Sequence, residues 1–197
     1  MLLGQLVSIS VASNLFYIAL LLSQPSPLPK DSRANPRLWL SVLISLLSVA
    51  KSPFTDERTF LPNLLVMHAL LILPLLWTPK SPSCFSLHTS TLYLIIFLIS
   101  AAIRARTVLA AMVFLNDSPF TTAWNTLHSH PAQSSIGWDV VWSTLSFITW
   151  AGFGDGQPMN AFAIVFMSLA TALASIGVTA PYVLLPHSAR PFVPKTE

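Results

Sequence analysis

His68, Arg104, Arg106 and Asp139 stand inside or at the edge of long apolar stretches of this sequence. An ionisable group in hydrocarbon costs about 2.5 to 3.5 kcal/mol even on insertion scales, so each needs a partner or a use. A carboxyl such as Asp139, kept neutral by burial, can protonate an alkene or epoxide, and an intramembrane histidine such as His68 can shuttle a proton. Asp139 and His68 are therefore the candidate catalytic residues. Arg104, Tyr93, Trp142 and Trp150 are the candidate substrate-binding residues.

Helical spacing sorts these side chains onto faces. Tyr93, Phe97, Ser100 and Arg104 recur at i, i+4, i+7 and i+11, and Asp139, Ser143, Ser146 and Trp150 repeat the same offsets, with Trp138 and Trp142 beside them. Both stripes are expected to face the interior of a helical bundle, where indoles would wall an aromatic pocket and stabilise a cation. Ser41, Ser45 and Ser48, and likewise Thr171, Ser175 and Thr179, have the small-residue spacing that lets helices approach closely.

Each sharp reading has a plainer counterpart. Asp139 would sit in the first turn of a helix capped by Ser134 or Ser135, stabilised by that helix's own dipole. Arg104 and Arg106 would reach the headgroups if the span ended near Ile103, and otherwise need a carboxylate, for which Asp139 is the candidate. His68, with Asn63 before it and Pro74 after it, would be a hydrogen-bonded packing residue in a kinked helix.

Other motifs carry little. His128-Ser129-His130 would aim two imidazoles the same way in an extended segment, but further ligands would have to come from His88, Asp117 or Asp155, and no metal is expected. The glycines from Gly152 to Gly156 lack the Lys-Ser and strand-turn-helix context of a phosphate cradle and read as a tight turn. Asn116-Asp117-Ser118 fits a glycosylation acceptor but is followed by Pro119 and is read as unused. Cys84 is the sole cysteine, which excludes an internal disulfide, and no cofactor is expected.

The elements that would carry these residues can be read from composition. Of 197 residues 53% are hydrophobic and 9% charged, with mean hydropathy +0.67, whereas soluble domains carry about 25% charged residues. The ten basic and seven acidic residues are scattered, so no stripe tracks phosphates and nucleic acid is not an expected partner. Six apolar segments are marked, near 2–22, 38–50, 60–77, 91–115, 137–153 and 161–185, in a single integral-membrane domain over 1–197. The first is read as an uncleaved helix, since it lacks a basic start and a small-residue cleavage site. Proline-bearing linkers from Ser23 to Arg37 and from Thr78 to Ser83 separate the first segment from the second and the third from the fourth. Segment 38–50 covers roughly 20 Å against a hydrocarbon core of about 30 Å, so it is expected to be short or re-entrant. Five full spans beside it put the N-terminus outside and most Lys and Arg on the cytosolic side.

The expected fold is thus all-α, a polytopic transmembrane bundle of about five to six segments. By size and helix count the chain is similar to the small integral-membrane cyclases, isomerases and oxidases of fungal secondary metabolism. The first expectation, resting on Asp139, His68 and the aromatic residues, is a metal-independent acid/base enzyme acting on an isoprenoid or polyketide, with a eukaryotic endomembrane such as the endoplasmic reticulum as its expected location. The other expectation is a non-catalytic membrane scaffold, transporter or lipid-binding component. Membrane lipid and a lipophilic small molecule are the expected partners.

Overall fold

The computed structural model describes residues 9–22, 33–76, 85–113, 118–153 and 159–187. The start of the first apolar segment, most of the first proline-bearing linker and all of the second, Cys84, Asn116, Asp117 and the glycine-rich run from Gly154 to Gly156, read from the sequence as a tight turn, lie outside the described residues. Among the described residues helix dominates: α1 Ile9–Leu22, α2 Pro36–Lys51, α3 Phe60–Leu76, α4 Thr89–Val113, α5 Pro119–His128, α6 Pro131–Phe153, α7 Ala161–Ala174 and α8 Ile176–His187. A two-residue antiparallel ladder joins β1 (Arg33–Ala34) to β2 (Leu87–His88).

Two compact units divide the chain, residues 1–26 with 104–180 and residues 27–103 with 181–197. In the second of these, α2 and α3 form a helical hairpin. Asn35 caps α2 by accepting from the Arg37 amide at 3.1 Å, and Pro36 follows at the first helical position, where a missing N–H costs nothing. The segment read as short therefore begins earlier than expected, because Pro36 starts the helix instead of ending a linker. With a 3-10 turn at Ser52–Phe54 it runs from Pro36 to Phe54, long enough to cross a membrane. Ser41, Ser45 and Ser48 are buried, and the Asn63 side-chain amide donates to the Ser48 carbonyl at 3.0 Å across the hairpin. Asp56 then caps the start of α3: its carboxylate accepts from the Thr59 amide at 2.8 Å and hydroxyl at 2.6 Å. The Thr59 hydroxyl, then its amide, hold the Asp56 carboxyl below its ordinary pKa.

The other unit is built on α6, which packs against α1, α5 and α7. Gly137 lets α5 and α6 close up, since a Cβ there would run into the Leu127 side chain. Ser134 donates its hydroxyl to the Leu127 carbonyl at 2.5 Å. The most deeply buried side chains are Phe147 and Thr171.

Three further expectations are corrected. The fifth segment starts at Pro131 rather than near residue 137, so Asp139 lies two turns inside α6 and not in its first turn. The sixth is not one helix: α7 ends at Ala174, Ser175 adopts φ 77°, and α8 restarts at Ile176. His128-Ser129-His130 is not extended, because His128 closes α5 and its ring lies against Trp124, with centroids 4.4 Å apart.

Two helices are long and apolar enough to cross a membrane, Pro36–Phe54 and Thr89–Val113. In the most apolar stretch of each, 17% of residues are buried in the first and 0% in the second. The core helix of a soluble domain would be mostly covered.

Candidate functional site

A groove of about 420 Å3 runs between α1 and α6. Helical repeat builds both walls. On α6 the side chains of Trp142, Ser146, Thr149 and Trp150 recur at three- and four-residue intervals, and on α1 those of Asn14, Tyr17 and Leu21 do the same. The rings of Tyr17 and Trp150 stack with centroids 5.2 Å apart and planes 16° from parallel, which fixes the width of the groove at that level. Trp150 also lies 6.3 Å from the buried Phe147 ring, so its indole is braced from behind.

The polar atoms along this groove are mostly turned back onto their own helix. Ser146 donates to the Trp142 carbonyl at 2.8 Å and Thr149 to the Leu145 carbonyl at 2.9 Å, the i−4 bonds that satisfy a hydroxyl on an apolar face. The lining contains no carboxylate and no imidazole among the described residues. Asn14 supplies an amide and Tyr17 a phenol.

Asp139 lies one turn before Trp142. One carboxylate oxygen, Oδ1, accepts from the Ser10 backbone N–H in the first turn of α1 at 3.0 Å, a contact between residues 129 apart in sequence. It therefore serves the N-terminus of α1 and not, as the plainer reading had it, that of its own helix. Arg104 donates from Nε to the Leu173 carbonyl at 3.0 Å, in the last turn of α7. This guanidinium thus meets a backbone carbonyl, a partner that neither the headgroup nor the carboxylate alternative named.

Around the break that Arg104 serves, the Thr171 hydroxyl donates to the Thr179 hydroxyl at 3.1 Å, which in turn donates to the Ser175 carbonyl at 3.2 Å. The stripe expected for helix approach here bridges the interruption. Ser143, buried on α6, has a hydroxyl without a hydrogen-bond partner among the described residues.

His68 and Tyr93 belong to the other unit. The His68 Nδ1 lies 2.7 Å from the Leu64 carbonyl of its own helix, which makes Nδ1 the donor in that bond. Tyr93 is half-buried on α4, and one turn further Phe97 meets Tyr182 with centroids 6.2 Å apart.

Of the candidates, Trp142 and Trp150 are brought together in one groove, while Asp139 and Arg104 go to different helix ends. Asn14 and Tyr17 were missed. Ser10, Asn14, Tyr17 and Leu21 have the same i, i+4, i+7, i+11 offsets as the stripe on α6, and that repetition was the available signal. No family model, no characterised protein and no solved structure matches the chain, so the groove is interpreted from its own chemistry.

Proposed function

We propose that this chain is a multi-pass integral membrane protein that binds a lipophilic small molecule, of isoprenoid or polyketide type, in the groove between α1 and α6. The observation that carries the reading is the aromatic wall of Tyr17, Trp142 and Trp150, with neither a carboxylate nor an imidazole among the described lining residues. Such a surface holds a molecule by area and ring stacking, with Asn14 available to orient one polar end.

The membrane part of the proposal is supported by where the apolar surface lies. Leu94, Leu98, Leu109 and Val113 on α4 are all exposed, as are Leu61, Leu65 and Val66 on α3. A water-soluble monomer rarely exposes contiguous apolar surface on this scale, whereas lipid accepts it. A shorter apolar helix such as α3, 17 residues from Phe60 to Leu76, would reach across with local thinning of the bilayer or snorkelling of its flanking residues.

Acid/base catalysis by Asp139 and His68 is the less supported role. One oxygen of Asp139 is committed to a backbone N–H, and His68 to a carbonyl of its own helix. Non-catalytic binding or carriage of the lipophile asks nothing of either.

The test is photolabelling of the detergent-purified chain with a diazirine-bearing farnesyl probe. The expected adducts fall on the Trp142–Phe153 and Asn14–Leu21 peptides. Tyr17→Ala combined with Trp150→Ala is expected to cut labelling about tenfold, since each aromatic contact contributes roughly 0.5 to 1.5 kcal/mol. Labelling spread evenly over α1 to α8, or unchanged in the double variant, would refute the groove.

A further inference from the structure

We propose that the groove at the loop end of the α2–α3 hairpin is a binding site for an anionic phospholipid, with the phosphate on the Lys51 ammonium and an acyl chain along Ile44, Leu47 and Val66. This inference rests on the membrane reading above but concerns a different groove. That groove measures about 440 Å3, and Lys51 is the charged residue in its lining.

Its two ends differ in chemistry. Lys51 closes the last turn of α2, and beyond it the connection carries Asp56, Glu57 and Arg58, a run of charge that belongs at the water-facing side of a bilayer. In the other direction Leu47 is 63% exposed, Val66 51% and Ile44 43%, and they form an aliphatic wall. Ile44 precedes Lys51 by about two helical turns, roughly 10 Å, the distance over which a phospholipid passes from phosphate through glycerol to hydrocarbon.

The middle of the groove suits the ester region. The Asn63 side chain donates one N–H to the Ser48 carbonyl, which fixes the amide in place and leaves its second N–H to an ester carbonyl of the lipid. Of the two acids in the connection, Asp56 is folded back on Thr59 as the cap of α3, and neither it nor Glu57 lines the groove. The charge facing the groove is thus a cation at headgroup level, the complement of a phosphate with no amine to neutralise it. A zwitterionic lipid fits the wall equally well but gains less from Lys51.

The experiment measures the melting temperature of the full chain in neutral detergent micelles doped with phosphatidylglycerol, with phosphatidylcholine, or with inorganic phosphate alone. Phosphatidylglycerol is expected to raise it by several degrees and the other two to leave it nearly unchanged. Lys51→Gln should abolish the rise and Lys51→Arg should keep it. Val66→Trp, which fills the aliphatic wall and leaves the charge, should also abolish it and supports the assignment if Lys51→Gln folds poorly. The proposal is overturned if Lys51→Gln folds and retains the rise, if phosphatidylcholine gives the same rise, or if inorganic phosphate suffices. A chain that stays a compact monomer without detergent refutes the membrane reading itself, whereas a detergent-dependent chain indifferent to phosphatidylglycerol refutes this site alone.

Discussion

At the start of α1 a carboxylate meets a backbone N–H, and at the end of α7 a guanidinium meets a backbone carbonyl. The signs are those the helix dipole asks for, negative at an N-terminus and positive at a C-terminus. The two places differ in what surrounds them. Behind Asp139 runs an unbroken α6, and the amide it accepts from opens a helix without interruption. Beyond Leu173 the chain turns through Ser175 at φ 77° and ψ 161°, a region of backbone space that is nearly glycine's alone, before α8 restarts. The acid thus finishes a sound helix, while the arginine attends a broken one. A charge in an apolar setting need not mark chemistry, since loose backbone groups at helix ends are demand enough.

The largest effect is therefore expected at the break. Arg104→Leu should leave the Leu173 carbonyl without its donor and cost about 2 kcal/mol, within the range of hydrogen bonds to charged groups. Arg104→Lys, which keeps a donor on a shorter reach, should lose less. Denaturation of the purified protein by graded addition of an anionic detergent measures both. Equal stability of Arg104→Leu and the parent would remove the distinction between the two ends.

The same place should yield a gain. Ser175 holds a conformation that costs a side-chain-bearing residue about 1 to 3 kcal/mol, part of which the surrounding hydrogen bonds return. The bonds from Thr171, Thr179 and Val178 reach backbone atoms or each other, and none uses the Ser175 hydroxyl. Ser175→Gly should accordingly stabilise the protein by about 1 kcal/mol, read in the same titration. A loss would mean that the break is held by the serine side chain.

Helix and apolar character were legible in the sequence because both depend on composition and period. The stripe on α6 was legible in part for the same reason: Ser146 and Trp150, with Trp142 beside them, line one groove, whereas Asp139 and Ser143 do not. The break at Ser175 was not. Neither glycine nor proline stands at position 175, and a serine carries no local signal for the positive φ it adopts. Pro36 misled through its position, being a breaker inside a helix but a favoured first residue. Partners were the hardest to foresee. A pairing of Asp139 with Arg104 was one alternative the residue types offered, yet each of the two meets a backbone atom, and backbone atoms are invisible to a reading by residue type.

The smallest effect is also the one that separates the roles open to Asp139. An N-cap needs an acceptor oxygen at the right distance and not a titratable proton, so asparagine serves a helix start about as well as aspartate, whereas alanine costs about 1 kcal/mol. Asp139→Ala should therefore weaken the protein by about that amount, and Asp139→Asn should leave it close to the parent. Labelling of the α1–α6 groove by the farnesyl probe should persist in Asp139→Asn. An acid/base residue makes the opposite demand, because the amide keeps the shape and loses the proton. If Asp139→Asn turned out as damaging as Asp139→Ala to the fold, the Ser10 contact would not be a cap. If it left the fold intact but abolished a turnover of the bound lipophile, the carboxyl would be working chemically, and the difference between the two helix ends would be one of catalysis rather than of backbone.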